Sequence, residues 1–562
     1  MTNTAASPDS RLFVLVVDDL HIMESDLIPV KRVMTDFFDA LAPDDEVAVV
    51  FIGHSNLGVN FTTDRTTLRR TADSVRAALG FGLDALGRSA NASANGDAFM
   101  MDGKIVHDFA VTADQTLANV ARALAGSTHA RRAIVYVTAG SVAPTTPDLS
   151  KDPMLTDFDD LVALYDTARR ANVPIYTLDP RGLTLPEDAV RGGASVVGQP
   201  AVRSSIAENI RYQQHRLAEN AINTGGRAFT NQSDLTQAVR AIVADNGSYY
   251  LLGYYPSPFE ADGKYHTFDV TVKRPGLRVR PRAGYVASSA SPAEAEMRPM
   301  LEATMRTGVN VSGVALRATA LPLLPGASGM QTLVTVEVTY PLPPDGSGAI
   351  DDSLEMSVLA LDPDANVKAQ AGRAFGFSRA GRATGAVTLL VDQVIELPPE
   401  PLTLRVGVTS RVLGRAGSVQ LPVDVPKPSD GKLQVSGLAI GVVGDRTLAV
   451  NGAVAGPLLP FQPLTAREFA ASDTLRVFGR VWWKSRGAPV VTMAIRLLSG
   501  GAPPAAVQPA LTTADGVGGG KLMTLDQAVP LSGLAPGDYV LEVSARLGKD
   551  RPITRAVPFR VR

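Results

Sequence analysis

The sequence contains no cysteine, which excludes disulfide bonds, thiolate-bound metals and cysteine nucleophiles. It also lacks any run of about 18–20 apolar residues, the length that a membrane-spanning helix needs. Residues 1–11 show neither the basic start nor the apolar stretch of a signal peptide. A formal net charge of −2 provides no basic field for a nucleic acid. We therefore expect protein partners, with no nucleic acid and no membrane span.

Aromatic residues are scarce, at 6% of the chain, whereas glycine (50) and proline (39) are plentiful. This balance predicts many turns and much β structure. A chain of 562 residues is too long for one hydrophobic core. We therefore expect two to four domains.

Residues 12–245 alternate short apolar runs with amphipathic segments. The predicted strands are 12–17, 46–52, 134–137 and 173–178. Apolar residues from Leu27 to Leu41 recur at helical spacing, and Ser233 is predicted to cap a later helix. Alternating strands and helices predict a Rossmann-type, doubly wound parallel sheet. The Gly- and Ala-rich stretch 81–108 is predicted to be a long insertion.

Residues 248–285 are predicted to form strands at Tyr249–Tyr255, Tyr265–Lys273 and Leu277–Arg280, as an antiparallel extension of the first domain. The first domain is thus predicted over 1–290, with the extension at about 248–286. A helical linker is predicted over 291–307.

From residue 308 onward, strict alternation of apolar and polar residues replaces helical periodicity, for example at Val334, Val336 and Val338. A weak repeat begins at Leu397 and again at Leu534. The simplest interpretation is two all-β sandwiches of immunoglobulin or fibronectin III type, over 308–428 and 429–562.

Five motifs in the first half carry a resemblance to a known family. They are "LVVDDLH" ending at His21, "FTTDRTTL" at 61–68, "NTGGRAF" at 223–229, "YYLLGYYP" at 249–256 and "RPRAGYV" at 280–286. In this order they resemble the von Willebrand factor type A (vWA) domain, and more closely the acidobacterial VWFA-related family. The resemblance covers about residues 12–286 and implies an adhesion-type, protein-binding role without enzymatic activity.

The resemblance also implies a site for Mg²⁺ at the end of the first strand. In vWA domains this site uses an Asp-x-Ser-x-Ser loop, a distant Thr and a later Asp, and hydroxyls and carboxylates are what Mg²⁺ prefers. Asp18 matches the first Asp, but Leu20 and Ile22 replace the two serines, and Ala139 replaces the later Asp. The site is therefore predicted to be degenerate.

Two interpretations of the acidic pair remain open. In one, Asp18 and Asp19 keep a residual Mg²⁺ or Mn²⁺ site, with His21 compensating for a missing ligand and Thr112 or Thr116 as the distant Thr. In the other, both carboxylates cap the segment that follows them and bind its backbone N–H groups. The binding residues are predicted to be Asp18, Asp19, His21 and Thr112, with no required cofactor.

Family members typically carry a signal peptide and a small β-rich region ahead of the vWA domain. The resemblance therefore implies an extracellular or periplasmic location. Since no signal peptide is visible, two interpretations stay open: a complete cytosolic protein, or a chain whose start is truncated or misassigned.

Three other segments carry residue types that could bind or react. Ser55 follows a strand and resembles a nucleophile elbow, which would make the protein a hydrolase, but Leu57 replaces the final glycine of that motif. Gly516–Lys521 resembles a phosphate loop but lacks its spacing, so a hairpin is predicted. Trp482 and Trp483 adjoin in a predicted strand, where one ring faces the core and the other marks a candidate binding patch.

Overall fold

The computed structural model describes most of the chain. The described residues are 10–54, 57–77, 112–125, 127, 129, 131–140, 153–183, 200–247, 265–267, 269–274, 284–286, 301–302, 305, 308–342, 350–379, 385–426, 433–444, 448–449, 458–483, 491–499, 502–507, 511–515 and 521–562. They lie within two compact units, Ala5–Val311 and Ser312–Arg562. The first is an α/β unit and the second a β-rich unit, as the sequence predicts.

A six-stranded sheet forms the centre of the α/β unit, in the order β3-β2-β1-β4-β5-β6. All neighbouring strands are parallel except the edge strand β3, which runs antiparallel to β2. The strands are β1 Arg11–Val17, β2 Glu46–Phe51, β3 Val59–Thr62, β4 Arg131–Val137, β5 Ile175–Leu178 and β6 Ala228–Phe229. This confirms the predicted α/β region with a mostly parallel sheet.

Helices cover both faces of this sheet. They are α1 Leu27–Ala40, α2 Arg65–Ser74, α3 at residues 112–125, α4 Pro153–Arg170, α5 Pro200–Thr224 and α6 Leu235–Asp245. Alternate residues of β1 point to opposite faces. Leu15 packs with α1, α2 and α6, whereas Val14 packs with α3, α4 and α5. The near-continuous apolar character of β1 follows from burial on both sides.

Two local predictions in this unit need correction. The cap of α6 is Asp234, whose carboxylate accepts a hydrogen bond from the backbone N–H of Gln237, and not Ser233. The predicted strand Tyr265–Lys273 is shorter: β7 is Tyr265–Thr267, and it pairs antiparallel with β8, Gly284–Val286, as a separate two-stranded sheet. The other predicted strands of this extension, and the insertion 81–108, lie outside the described residues.

In the described residues of the β-rich unit there are four sheets, whose longer strands all pair antiparallel. Its first eight strands are β9 Ala315–Pro325, β10 Met330–Pro341, β11 Ile350–Leu361, β12 Val367–Arg379, β13 Ala386–Leu397, β14 Pro401–Ser410, β15 Arg415–Asp424 and β16 Gln434–Val435. The next are β17 Ala439–Val442, β18 Leu448–Ala449, β19 Glu468–Phe469, β20 Thr474–Trp483 and β21 Val491–Ser499. The last are β22 Ala502–Val507, β23 Leu511–Asp515, β24 Lys521–Pro530, β25 Gly537–Leu547 and β26 Ile553–Val561.

Facing sheets enclose two main cores, consistent with a sandwich layout. One core lies between β9-β10-β13 and β12-β11-β14-β15, and the other joins the β20-β24 sheet to the β26-β25-β21 sheet. A smaller cluster, including Leu321, Leu333 and Phe478, packs the first sandwich against the second. Strand β18, from the segment assigned to the second sandwich, pairs with β13 of the first.

The glycine-rich segment 516–520 itself lies outside the described residues. Its flanking strands β23 and β24 pair antiparallel from Asp515 and Lys521 onward, which agrees with the predicted hairpin. A phosphate loop would need a helix where β24 stands.

Candidate functional site

The acidic pair stands at the switch point of the parallel sheet. From β1 the chain passes through α1 to β2 on one side, while β4 borders β1 on the other. Such a reversal leaves a crevice at the carboxyl ends of the strands, which is where open α/β sheets bind ligands. Asp18 and Thr138 are the first residues after β1 and β4 and therefore face this crevice.

The carboxylate of Asp18 is fully buried and densely hydrogen-bonded. Its Oδ2 accepts hydrogen bonds from the Tyr136 hydroxyl at 2.6 Å, the Thr138 hydroxyl at 2.8 Å and Nδ1 of His21 at 2.8 Å. Its Oδ1 accepts a longer bond, 3.3 Å, from the backbone N–H of His21. The Thr138 hydroxyl in turn accepts from the backbone N–H of Gly140. One buried carboxylate thus ties β1 to β4 and to the turn that follows β1.

The charges of this cluster reinforce one another. Burial alone would raise the pKa of Asp18, but the adjacent imidazole of His21 and the three side-chain hydrogen bonds outweigh it and hold that pKa below its ordinary value. Burial likewise would lower the pKa of His21, yet the Asp18 carboxylate raises it. Burial, with the Asp18 charge, raises the pKa of Tyr136 well above its ordinary value. Tyr136 therefore remains a protonated donor to an ionised Asp18.

Asp19 points to the opposite neighbour of β1. Its Oδ1 accepts from the backbone N–H of Gly53 at 2.6 Å, and its Oδ2 accepts from the backbone N–H and from Nδ1 of His54, at 2.9 and 2.7 Å. The capping hypothesis is therefore right in part for Asp18, which binds the N–H of His21. For Asp19 it is wrong, because its N–H partners follow β2 and do not belong to the next turn.

Two further ion pairs line the same edge and were missed in the sequence. Asp179, the first residue after β5, is fully buried and holds the backbone and guanidinium of Arg181. Nη1 of Arg181 also donates to Gln213 of α5, at 2.7 Å. The position of Asp179 directly after a buried strand was the signal that could have found it, because Asp18 stands in the same place after β1.

The second missed pair joins α3 to α5. Arg216 donates to the buried Asp114 at 3.0 Å, and the Asp114 charge contributes to the raised pKa of His21. Asp114 lies on the first turn of α3, the helix that the predicted residue Thr112 begins. Thr112 itself is exposed, and its carbonyl accepts a hydrogen bond from the Thr116 hydroxyl. Ser55, the predicted nucleophile, lies outside the described residues.

These residues do not fit a divalent metal ion. A hard cation needs several oxygen ligands converging on one point. The two carboxylates instead diverge, with Asp18 bonded toward β4 and Asp19 toward β2, and Asp18 Oδ2 already accepts three hydrogen bonds. Within the described residues, no group of three or more His, Asp or Glu side chains could hold a metal. Asp18 and Asp19 as metal ligands remain a prediction that this geometry does not favour.

Comparison with known proteins adds no family to this geometry: no protein-family model matches the chain, and the search of curated proteins found no match. Among the described residues, no helix is both long enough and apolar enough to cross a membrane.

Exposed apolar side chains border the crevice. Ile28, at the start of α1, is 79% exposed, and Leu183, after β5, is 56% exposed. Asp26 lies two residues before Ile28, and Arg181 lies two residues before Leu183. The Arg181 charge acts on Asp26, whose pKa burial raises above its ordinary value. The edge therefore combines internally paired charged groups with two exposed apolar residues, Ile28 and Leu183, in the segments that follow β1 and β5; we call these two residues the rim.

Proposed function

We propose that the α/β unit is a vWA-like module that binds a protein partner at the carboxyl edge of its sheet without a metal ion. The β-rich unit is, in this proposal, a pair of immunoglobulin- or fibronectin III-like sandwiches that serve as a spacer or as additional binding modules. The protein has no enzymatic activity in this proposal.

One observation carries the metal-independent part of the proposal. Asp18, the residue that matches the first metal ligand, gives its Oδ2 to Tyr136, Thr138 and His21. The imidazole of His21 lies against that carboxylate where a metal would otherwise lie, and the Asp18 charge raises the pKa of His21 against the effect of burial. The edge is thus preorganised by the protein alone.

The rim supports a protein as the ligand. Exposed Ile28 and Leu183 provide apolar contact area, whereas the polar groups of the edge are occupied by one another. Protein interfaces combine an apolar centre with a polar surround. The strand order β3-β2-β1-β4-β5-β6 is that of a doubly wound α/β sheet, the fold class that the vWA likeness implies.

The experiment identifies a partner and then locates its site. Full-length protein is used to capture partners from a native extract, and the recovered partner is purified for measurement of Kd. The variant Ile28→Glu/Leu183→Glu is expected to weaken Kd by at least about tenfold, since a buried apolar contact becomes charged. Val367→Glu, at a residue 56% exposed in the β-rich unit, is the matched control and leaves Kd unchanged.

The same measurement separates the alternatives. Chelation of divalent ions is expected to leave Kd unchanged. Loss of binding after chelation would favour the residual Mg²⁺ or Mn²⁺ site at Asp18 and Asp19. Retained binding by the rim variant would move the interface elsewhere on the protein.

An extracellular or periplasmic location is part of the proposal and rests on the resemblance to the VWFA-related family. It is tested by fractionating source cells and detecting the chain with an antibody. Recovery in the cytoplasmic fraction alone would contradict it.

A further inference from the structure

Three buried N–H groups on one face of β20 have no hydrogen-bond acceptor in the part of the chain that the structure describes. They are Nε and Nη1 of Arg480 and Nε1 of Trp482. Guanidinium and indole groups are donors only, so each needs an acceptor that neither can provide for the other. A buried donor without an acceptor costs free energy, and more so when it is charged.

The position of these groups follows from strand alternation. Val481 and Trp483 belong to the interior of the second sandwich. Arg480 and Trp482 lie on the opposite face of β20, two residues apart and hence about 7 Å along the strand. On that face Trp482 packs against the core of the first sandwich. Phe478, next along the same face, packs with Leu321 of the first sandwich. The donors therefore lie in the seam between the two sandwiches.

Trp482 is half-buried in this seam. The candidate binding patch that the sequence placed at an exposed tryptophan is therefore corrected: Trp483 faces the interior as predicted, whereas Trp482 lies within an internal seam. Its indole N–H is the polar part that the packing leaves without an acceptor among the described residues.

A second arginine on the same face provides an internal comparison. Nε and Nη2 of Arg476 donate to the two carboxylate oxygens of Asp526, at 2.8 and 2.7 Å. The hydrogen bonds and the charge of Asp526 raise the pKa of Arg476. Arg480 lies over the Phe478 ring, 5.2 Å from its centroid, and burial lowers its pKa, with no carboxylate of the described residues opposing that effect. Within the described part of the chain, one arginine of this strand is thus paired with a carboxylate and the other is not.

We propose that this seam binds an oxyanion, a carboxylate or phosphate group of a ligand, between Arg480 and Trp482. Such a group brings several lone pairs and a negative charge, and so it satisfies N–H donors of both side chains at once. Thr524, half-buried and directly opposite Arg480 on the neighbouring strand, adds a hydroxyl on the same face. The seam is a site of the β-rich unit and is independent of the carboxyl edge.

Intrinsic fluorescence reads this site directly, because Trp482 and Trp483 are the two tryptophans of the chain. Full-length protein is titrated with acetate or with inorganic phosphate, with chloride keeping the ionic strength constant. We expect a saturable change in emission. The melting midpoint, followed by the same emission, is expected to rise by about 2–4 °C at about five times Kd.

Substitutions assign the response to Arg480. In Arg480→Met, which keeps the length of the side chain over Phe478, the anion response is lost. In chloride alone this variant is as stable as the wild type or more so, because a buried charge has been removed. The matched control Arg476→Met loses its pairing with Asp526 and is destabilised, but it keeps the anion response. Arg480→Lys keeps the charge and serves if Arg480→Met does not fold; its response is weakened several-fold.

Each outcome decides the proposal. A response to acetate alone identifies a carboxylate ligand, and a response to phosphate alone identifies a phosphate ligand. No saturable response to either anion, or an equal response in wild type and Arg480→Met, would overturn it. A large loss of stability in chloride in both Arg480→Met and Arg480→Lys would also contradict it, since it would mean that the guanidinium is already satisfied within the protein.

Discussion

The carboxyl edge of the α/β unit and the seam of the β-rich unit bury polar groups in opposite ways. At the edge, Asp18 and Asp19 are acceptors, and each is surrounded by donors from a neighbouring strand. In the seam, Arg480 and Trp482 are donors with buried N–H groups that find no acceptor among the described residues. Both regions use residue types that suggest a binding site when seen in the sequence alone.

Burial of a charged residue does not by itself distinguish a structural role from a ligand-binding role. What distinguishes them is whether the hydrogen-bonding capacity is used internally. A carboxylate whose lone pairs are all hydrogen-bonded stabilises the fold and has little hydrogen-bonding capacity left for a ligand. A buried donor without an acceptor is instead stabilised when a ligand provides one.

The largest effect is expected for Asp18→Ala. The change leaves the buried Tyr136, Thr138 and His21 groups without their common acceptor, and we expect a loss of about 3–5 kcal/mol in the free energy of unfolding. Urea unfolding followed by the circular dichroism of the helices measures this loss. In the described chain the helices of at least eight residues all belong to the α/β unit, so the helical signal reports the unfolding of that unit. Asp39→Ala, at an exposed ion pair with Arg69, is the control and changes stability by less than about 1 kcal/mol. A small loss of stability in Asp18→Ala would mean that the hydrogen bonds to Asp18 do not stabilise this edge.

Asp19→Ala is expected to cost less, about 2–3 kcal/mol, since it frees two backbone N–H groups and one imidazole that is 21% exposed. Amide hydrogen exchange gives a local measurement. The Gly53 and His54 amides should exchange faster in the variant, whereas the Ile52 amide, which donates to the Val17 carbonyl, should keep its protection. Unchanged exchange at Gly53 and His54 would mean that Asp19 does not hold the end of β2.

Gly140→Ala tests how tightly the turn after β4 packs. Gly140 has φ of +83°, and an added Cβ would lie 2.9 Å from Cβ of Gln213. Strain and overlap together predict a loss of about 1–3 kcal/mol. Gly385→Ala, with φ of +95° and open space around the new Cβ, pays for the strain alone and should cost about 1 kcal/mol. Equal losses of unfolding free energy in the two variants would mean that Gln213 of α5 moves away from the added Cβ at little cost.

The smallest effect concerns Asp392, a buried acid of the β-rich unit whose acceptors are used by neutral donors. The Thr335 hydroxyl donates to Oδ1 and the Gln462 amide to Oδ2, both at 2.7 Å. Burial raises the pKa of Asp392, whereas the pKa of Asp18, which lies beside His21, is lowered. A raised folded-state pKa stabilises the fold below the unfolded-state value, and this contribution is lost as the pH rises through the folded-state value.

We therefore compare the free energy of unfolding of the wild type with that of Asp392→Asn. The difference, wild type minus variant, is expected to fall by about 1 kcal/mol or less as the pH rises from about 4 to about 7. Urea unfolding followed by tryptophan emission measures it, since both tryptophans lie in the β-rich unit. A difference that grows with pH would mean that Asp392 is held ionised, as Asp18 is.

Much of the fold could be predicted because its signals are local. The apolar run of β1 and the helical spacing of α1 identify these elements, and the structure places them at Arg11–Val17 and Leu27–Ala40. Element ends were less certain: the strand predicted from Val173 begins at Ile175, and the cap expected at Ser233 falls on Asp234. Adjacent polar residues compete for a terminus, and their final geometry depends on packing.

The candidate site could be predicted in place but not in its connections. The acidic pair at the end of the first strand located the carboxyl edge. Nothing local indicated that Asp18 would bind Tyr136 and Thr138, which lie 118 and 120 residues away, or that Asp19 would bind the end of β2. The same holds for β18, a two-residue strand that joins the sheet of the preceding sandwich.

Periodicity of two or 3.6 residues along the chain decides which side chains are buried together, and it therefore sets which segments become strands and helices. The sequence also places acids at the end of β1 and two adjoining tryptophans in β20. Which of these groups find hydrogen-bond partners depends instead on how the sheets pack. Hydrogen bonds between residues far apart in the chain exist only after the sheets have packed, and so Asp18 became part of the framework while Arg480 was left with buried donors lacking an acceptor among the described residues.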